Sequence, residues 1–89
     1  MEFQFEPGRI FARSSAGKLL CEVTFPMRGG VAELNHTFVD ESLRGQGVAG
    51  KLMAAAVEQL RKDGCLVHPT CSYAISWFER HPEAADLLA

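Results

Sequence analysis

Arg44-Gly45-Gln46-Gly47-Val48-Ala49-Gly50-Lys51 is the stretch of this sequence whose residue types and spacing could do chemistry. Three glycines within six residues let the backbone come close to a ligand. A helix beginning at Val48 would aim several unpaired amide N–H groups, with the positive end of its dipole, at one spot. That combination is an anion site suited to phosphate, and Arg44 and Lys51 on either side can add charge-assisted hydrogen bonds. The plainer account is a glycine-rich turn that only docks the helix. Two nucleotide motifs also fit on paper. Gly45-x-Gly47-x-x-Gly50 matches the dinucleotide fingerprint, but that motif needs an acidic residue about 20 positions on, at the end of a second parallel strand. The acid present, Asp63, ends the same helix instead. Gly45 to Lys51 also spells G-x-x-x-x-G-K, yet Leu52 stands where a phosphate-binding loop needs a hydroxyl to hold magnesium. Both motifs demand a longer parallel sheet than this chain can supply.

Cys71 is the second chemical candidate. It opens a helical stretch, where unpaired N–H groups and the helix dipole favour a nucleophilic thiolate, whereas most free cysteines are small apolar core residues. Cys21 and Cys65 fall within apolar strand patterns and read as core. Glu33 projects from a strand, as a base or as a solvated face residue. His36 shares a side with Leu34 and Phe38 and reads as a hydrogen-bonded core histidine; the side that His68 takes is open. Trp77, Phe78 and Ile75 read as packing a helix on the sheet.

Behind these candidates, the first half of the chain has a strand period. Phe3 and Phe5 alternate with polar residues, Ile10 to Arg13 leads into the turn Ser14 to Gly17, and Leu19, Cys21, Val23 and Phe25 alternate again, which predicts a hairpin with one apolar face. Pro26 to Gly30 breaks the pattern, and Val31 to Val39 resumes it as a fourth strand ending at Asp40. From Val48 the spacing is helical: Val48, Leu52, Ala56 and Leu60, with Ala49, Met53 and Val57 beside them, form one stripe. Arg61 and Lys62 suit the last turn, and Gly64 can take the left-handed conformation just past the end at Asp63. A short strand over Cys65 to His68, a helix over Ser72 to Arg80 and a tail helix over Glu83 to Leu88 complete the order β-β-β-β-α-β-α. That order predicts an α+β fold: a compact, mixed, mostly antiparallel sheet with a long crossing helix and a shorter C-terminal helix.

Eighty-nine residues predict a single domain, 1–89, too short for a second core. No apolar run approaches the roughly 20 residues of a membrane-spanning helix, and the opening MEFQFEPGRI has no basic segment followed by an apolar one, so neither membrane embedding nor export is expected. Nine Lys and Arg against eleven Asp and Glu, scattered along the chain, lack the basic patch that nucleic acid or an anionic membrane requires. Three cysteines cannot all pair, and no Cys-x-x-Cys or His-x-x-x-His spacing suggests a metal site; a reducing cytoplasm is the expected setting.

The loop Arg44-x-x-Gly47-x-Ala49, between a strand and a long helix, resembles the pyrophosphate loop of the GCN5-related N-acetyltransferases, whose signature is Gln or Arg, two residues, Gly, one residue, then Gly or Ala. His36-Thr37-x-Val39, the loop, and the pairing of Cys71-Ser72-Tyr73 with His81-Pro82-Glu83 resemble more closely the very small acetyltransferase-like proteins of the YjdJ type, over nearly the whole chain. The resemblance implies a minimal acetyltransferase-like domain. Acetyl-coenzyme A would be its cosubstrate, with the pyrophosphate on Arg44, Gly45, Gln46, Gly47, Val48, Ala49, Gly50 and Lys51. The pantetheine arm would run along the backbone of Thr37, Phe38 and Val39, a main-chain N–H there serving as oxyanion donor. It carries the functional cysteine of those small proteins onto Cys71, as acyl acceptor or as an aid to the leaving thiol. One departure stands out: where the family places a tyrosine, this sequence has Phe78, which has no proton to give, and the only tyrosine is Tyr73. The helices that shape the acceptor pocket in full-length members are replaced by the bare turn Ser14 to Gly17. The expected activity is acetyl transfer to an unidentified amine acceptor, protein or small molecule. The alternatives are a non-catalytic acyl-coenzyme A binding or sensing module and, from another class, a nucleotide-binding regulator. An exposed strand edge beside the groove leaves room for a weak homodimer.

Overall fold

A computed structural model describes residues 1–89. Seven short strands and two helices follow one another: β1 (Gln4–Glu6), β2 (Arg9–Arg13), β3 (Leu19–Thr24), β4 (Met27–Arg28), β5 (Val31–Leu34), β6 (His36–Val39), α1 (Val48–Lys62), β7 (Leu66–Pro69) and α2 (Ser72–Arg80). A 3-10 turn over Glu41–Leu43 precedes the glycine loop, and another over Pro82–Leu87 replaces the expected tail helix. The α+β class and the mostly antiparallel pairing are as the sequence predicts, but the strands form two sheets. One has the order β1-β2-β3-β6, all antiparallel; the other has the order β4-β5-β7, with β5 and β7 parallel.

The division falls inside the stretch predicted as one fourth strand. Val31–Leu34 belongs to one sheet and His36–Val39 to the other, with Asn35 between them. The Asn35 N–H donates to the carbonyl of Thr24 at 3.3 Å and its side-chain oxygen accepts from the Thr24 hydroxyl at 2.6 Å, which pins the extra residue. An inserted residue moves every following side chain to the opposite face. Ala32 and Leu34 are therefore buried before the break, while after it Thr37 and Val39 turn inward and His36 and Phe38 turn out. His36 is thus not a core histidine; its side chain is 52% exposed and lies 3.5 Å from Glu22.

One apolar cluster fills the space between the sheets and the helices. Ile10, Ala12, Cys21 and Val23 from β2 and β3 meet Val48, Leu52, Met53, Ala56, Val57 and Leu60 of α1, and Ala74, Trp77 and Phe78 of α2. The predicted helical stripe is the buried one, with Ala49 only half-buried. Cys21 is core, and burial pushes its thiol pKa up. Cys65, by contrast, precedes β7 and is half-buried rather than a core strand residue, because the strand starts one residue later. Ile75 and Phe5 are exposed, against expectation: Ile75 lies on the outer side of α2, and β1 is an edge strand exposed on both faces. On the side of the first sheet away from the helices, Phe11 is buried under Arg9 and Arg13, whose guanidinium carbons lie 3.9 and 5.2 Å from the ring centre.

Candidate active site

Asp40 prepares the glycine loop. Its carboxylate accepts from the Ser42 hydroxyl at 2.6 Å and the Ser42 N–H at 3.1 Å, and lies 3.4 Å from Lys18, so its pKa sits below the usual carboxylate range, chiefly through the Ser42 hydrogen bonds. The chain then turns through Gly45 at φ +80° and Gly47 at φ +71°, the left-handed region that side-chain-bearing residues rarely adopt. The space where a Cβ would sit at these two positions is open, so backbone conformation rather than crowding accounts for the glycines. At Gly50 a Cβ would lie 3.8 Å from the Tyr73 hydroxyl, an ordinary van der Waals contact, so crowding does not account for that glycine either.

The head of α1 has no side-chain cap, and no acidic residue stands in its first turn. The amides of Gly45, Gly47, Val48, Ala49 and Gly50 donate to no protein acceptor. Arg44 and Lys51 flank them, and neither is engaged in an ion pair. A cleft of about 260 Å³ lies over this head, lined by Val39, Leu43, Arg44, Gly45 and the first turn of α1. Gly47, Gly50 and Tyr73 also border a larger groove of about 680 Å³ between α1 and α2, lined further along by Trp77, Arg80 and His81. The His81 ring stacks on Trp77 at 3.9 Å and its Nδ1 is 2.7 Å from the Trp77 carbonyl, which fixes the wall of that groove. Tyr73 thus lines both clefts, while Phe78 is buried in the core. Sequence spacing does not settle Tyr73 or identify the groove beyond it; the one available signal is the cluster of Tyr, Trp and Arg on a single helix with a His at its end.

On the other side of the cleft, β6 pairs only with β3. The Asp40 N–H donates to the Leu20 carbonyl, so the alternation of an antiparallel pair turns the amides of His36 and Phe38 toward β3 and leaves those of Thr37 and Val39 on the open edge. The Phe38 side chain points away from the helices, so only its backbone lies along that edge. Opposite, β7 leads into Thr70 and Cys71, whose N–H groups both donate to the Leu34 carbonyl, at 3.0 and 3.1 Å. Leu34 is the last residue of β5; beyond it β6 and the start of α2 diverge.

Cys71 sits at that divergence, as the N-cap of α2. Its Sγ accepts from the Ala74 N–H at 3.4 Å and lies 3.5 Å from the Thr37 hydroxyl. Thr37, Val39, the amides of the α1 head and the α1–α2 groove therefore follow one another along one side of the molecule, with the thiol at its start. Glu33 lies apart from this line: Thr70 donates to it at 3.2 Å and Arg28 is 3.8 Å away, while His68 stands across from it on β7. No three His, Cys, Asp or Glu side chains are grouped to hold a metal ion, and no helix is long and apolar enough to cross a membrane.

The same arrangement of elements recurs in known proteins. A GCN5-like protein of Staphylococcus aureus, solved in solution, superposes with a TM-score of 0.81 over 99% of this chain and 87% of its own, at 26% identity. The ribosomal-protein-S18-alanine N-acetyltransferase of Escherichia coli matches 81% of this chain at a TM-score of 0.65 and 19% identity, but over only 49% of its own length. The aminoglycoside N-acetyltransferase AAC(6')-Iy, solved in complex with coenzyme A, matches 85% of this chain and 64% of its own at a TM-score of 0.53 and 23% identity. In sequence, 29 residues are 59% identical to the acetyltransferase Atu2258 of Agrobacterium fabrum, a stretch that spans 33% of this chain and 21% of that protein. The family model for GCN5-related N-acetyltransferases matches residues 9–87, and with nearly the whole chain so covered, the protein belongs to that family.

Proposed function

We propose that this chain binds acetyl-coenzyme A along the line from Cys71 to the α1–α2 groove and transfers the acetyl group to an amine through Cys71. The observation that carries the proposal is the head of α1: five amides without a protein acceptor, no acidic residue in the first turn, and two unpaired cations beside them. A diphosphate satisfies all of these at once. From there the open edge at Thr37 and Val39 offers N–H and C=O groups to a pantetheine arm, which would add to β6 like a strand. Lys51, Arg80, Tyr73 and the His81 ring that stacks on Trp77 offer cations and aromatic faces to a nucleoside end in the larger groove.

In the proposed reaction the Cys71 Sγ takes the acetyl carbon as its bond to the coenzyme's sulfur breaks, and the thiol proton leaves with that sulfur as free coenzyme A. The resulting acetyl thioester on Cys71 is then attacked by a neutral amine; the amide forms, the bond to Sγ breaks, and the amine's proton returns to Cys71. A main-chain N–H on the open edge of β6 is the donor for the developing oxyanion.

Incubation with acetyl-coenzyme A followed by intact-mass and peptide analysis tests this directly. The expected result is an acetyl mass on Cys71, absent from Cys71→Ala, while Cys71→Ala still binds coenzyme A in a thermal-shift assay. Stabilisation by ATP with magnesium and none by coenzyme A would overturn it in favour of a nucleotide-binding regulator. Burial of Phe78 in the core supports a second reading, an acyl-coenzyme A binding module without turnover, since no tyrosine occupies the position from which the family protonates the departing thiol. Binding with neither Cys71 acetylation nor thiol release selects that reading.

A further inference from the structure

Thr37 stands where the open edge of β6 meets the cap of α2. Its side chain turns inward, half-buried, and Cys71 Sγ at 3.5 Å is the only hydrogen-bonding partner of its hydroxyl within the protein. The same sulfur receives the Ala74 N–H at 3.4 Å. The two contacts differ in kind. The amide is fixed in direction by the first turn of α2 and can only donate. The hydroxyl is a rotor that either accepts or donates. Toward a thiol it accepts the S–H; toward a sulfur that has lost its proton it can swing its own hydrogen around and donate, so that the sulfur then has two donors from two different elements. Charge-assisted hydrogen bonds of this kind are roughly twice as strong as neutral ones.

We infer that Thr37 is a positioning residue for Cys71: its hydroxyl, with the Ala74 amide, aims the sulfur along the open edge of β6 and supports its negative charge each time it attacks or is released. The inference rests on the proposed acyl transfer through Cys71 and adds to it a role for a side chain on the strand opposite. It also accounts for the side-chain types. A β-branched residue suits the strand, and of the β-branched residues only threonine brings a hydroxyl. The one-residue slip at Asn35 is what turns Thr37 inward. A regular strand from Val31 would put Thr37 on the face of Val31, Glu33 and Asn35, away from the buried face of Ala32 and Leu34.

The test compares Thr37→Val, which keeps the shape and the strand preference but removes the hydroxyl, with Thr37→Ser, which keeps the hydroxyl. Two rates are measured at neutral pH, single-turnover acetylation of Cys71 by acetyl-coenzyme A and alkylation of Cys71 by iodoacetamide, with thermal unfolding as a control for folding. Thr37→Val is expected to slow acetylation and alkylation alike by roughly tenfold, the loss of one hydrogen bond to a charged group, while Thr37→Ser stays within about twofold of the parent. Coenzyme A affinity rests on the α1 head and, at Thr37, on the backbone rather than the side chain, so it is expected to stay within about twofold in both. Parental rates in Thr37→Val, or equal losses in the two variants, overturn the inference. If the parent protein takes no acetyl group at all, the acyl-transfer reading fails, and the alkylation rates still decide whether Thr37 governs the sulfur.

Discussion

The two ends of α1 are built on opposite terms. At its tail the carbonyls of Gln59, Leu60 and Arg61 are all met from within the protein. The Asp63 N–H donates to Gln59, Gly64 to Arg61 and Cys65 to Leu60; Gly64 takes φ +71° to close the turn, and Arg61 and Lys62 complement the carbonyl dipoles. Arg61 is held in addition by Asp86 at 2.7 and 3.2 Å. At its head the usual provisions are missing or reversed. There is no capping side chain, and the nearby charges are the cations Arg44 and Lys51 where helix stability favours acids. α2 sharpens the contrast, because its head is capped by the Cys71 sulfur. A helix start that forgoes about 1 kcal/mol of capping and gathers the wrong sign of charge is what the proposed diphosphate site would require.

Substitutions at the two glycines break this comparison most sharply. Gly47→Glu places a carboxylate where the diphosphate is proposed to bind, in a left-handed conformation, and is expected to lower coenzyme A affinity by more than roughly a hundredfold in a calorimetric titration. Gly64→Ala, at the same φ on the far end, should cost about 1–2 kcal/mol of stability in denaturant unfolding and leave that affinity unchanged. Equal effects of the two substitutions on binding would mean that the head is not special.

Next in size are the flanking cations. Lys51→Ala and Arg44→Ala should each weaken coenzyme A binding by roughly tenfold, and the loss should shrink as salt is raised, because the contact is a partly screened charge-assisted hydrogen bond. A salt-independent loss would point to packing instead.

The smallest expected effect is on pH. Hydrogen bonds from Ser42 lower the pKa of Asp40, and those from Arg61 lower that of Asp86. A carboxylate depressed in the folded state contributes stability that is fully present above its unfolded value and disappears as pH falls through the folded one. Thermal melts should therefore hold level down to the ordinary aspartate range, about pH 4, and drop below it. Asp40→Asn and Asp86→Asn should each flatten part of that drop. Asp40→Asn keeps an oxygen that accepts from Ser42 but loses the charge and the Lys18 ion pair, so the approach to the α1 head loosens and coenzyme A binding should weaken slightly, whereas Asp86→Asn, at the tail, should leave it unchanged.

How far the sequence could be read depended on the range of the interactions involved. The bounds of α2, the end of α1 at Asp63 and the role of Gly64 follow from spacing, charge and glycine conformation within a few residues, and the structure agrees with them. The division of the fourth strand at Asn35 was not legible. Alternation from Val31 to Val39 reads the same whether one residue is inserted or not, and what inserts it is a pair of hydrogen bonds to Thr24, eleven positions away. His36 lies on the outer face, away from Leu34, for that reason. Cys65 and Ile75 were placed by local pattern alone, although their burial depends on where β7 begins and which side of α2 meets the sheet.

By itself the sequence determined the class of fold, the long amphipathic helix, and the glycine loop with two cations at its head, since each is set by the conformational limits and polarity of neighbouring residues. Only the tertiary structure decided that the strands form two sheets, that Tyr73 rather than Phe78 faces the clefts, and that Thr37 meets Cys71. Those outcomes depend on how side chains far apart in the chain share one small core, where a single inserted residue changes which face is in and which is out.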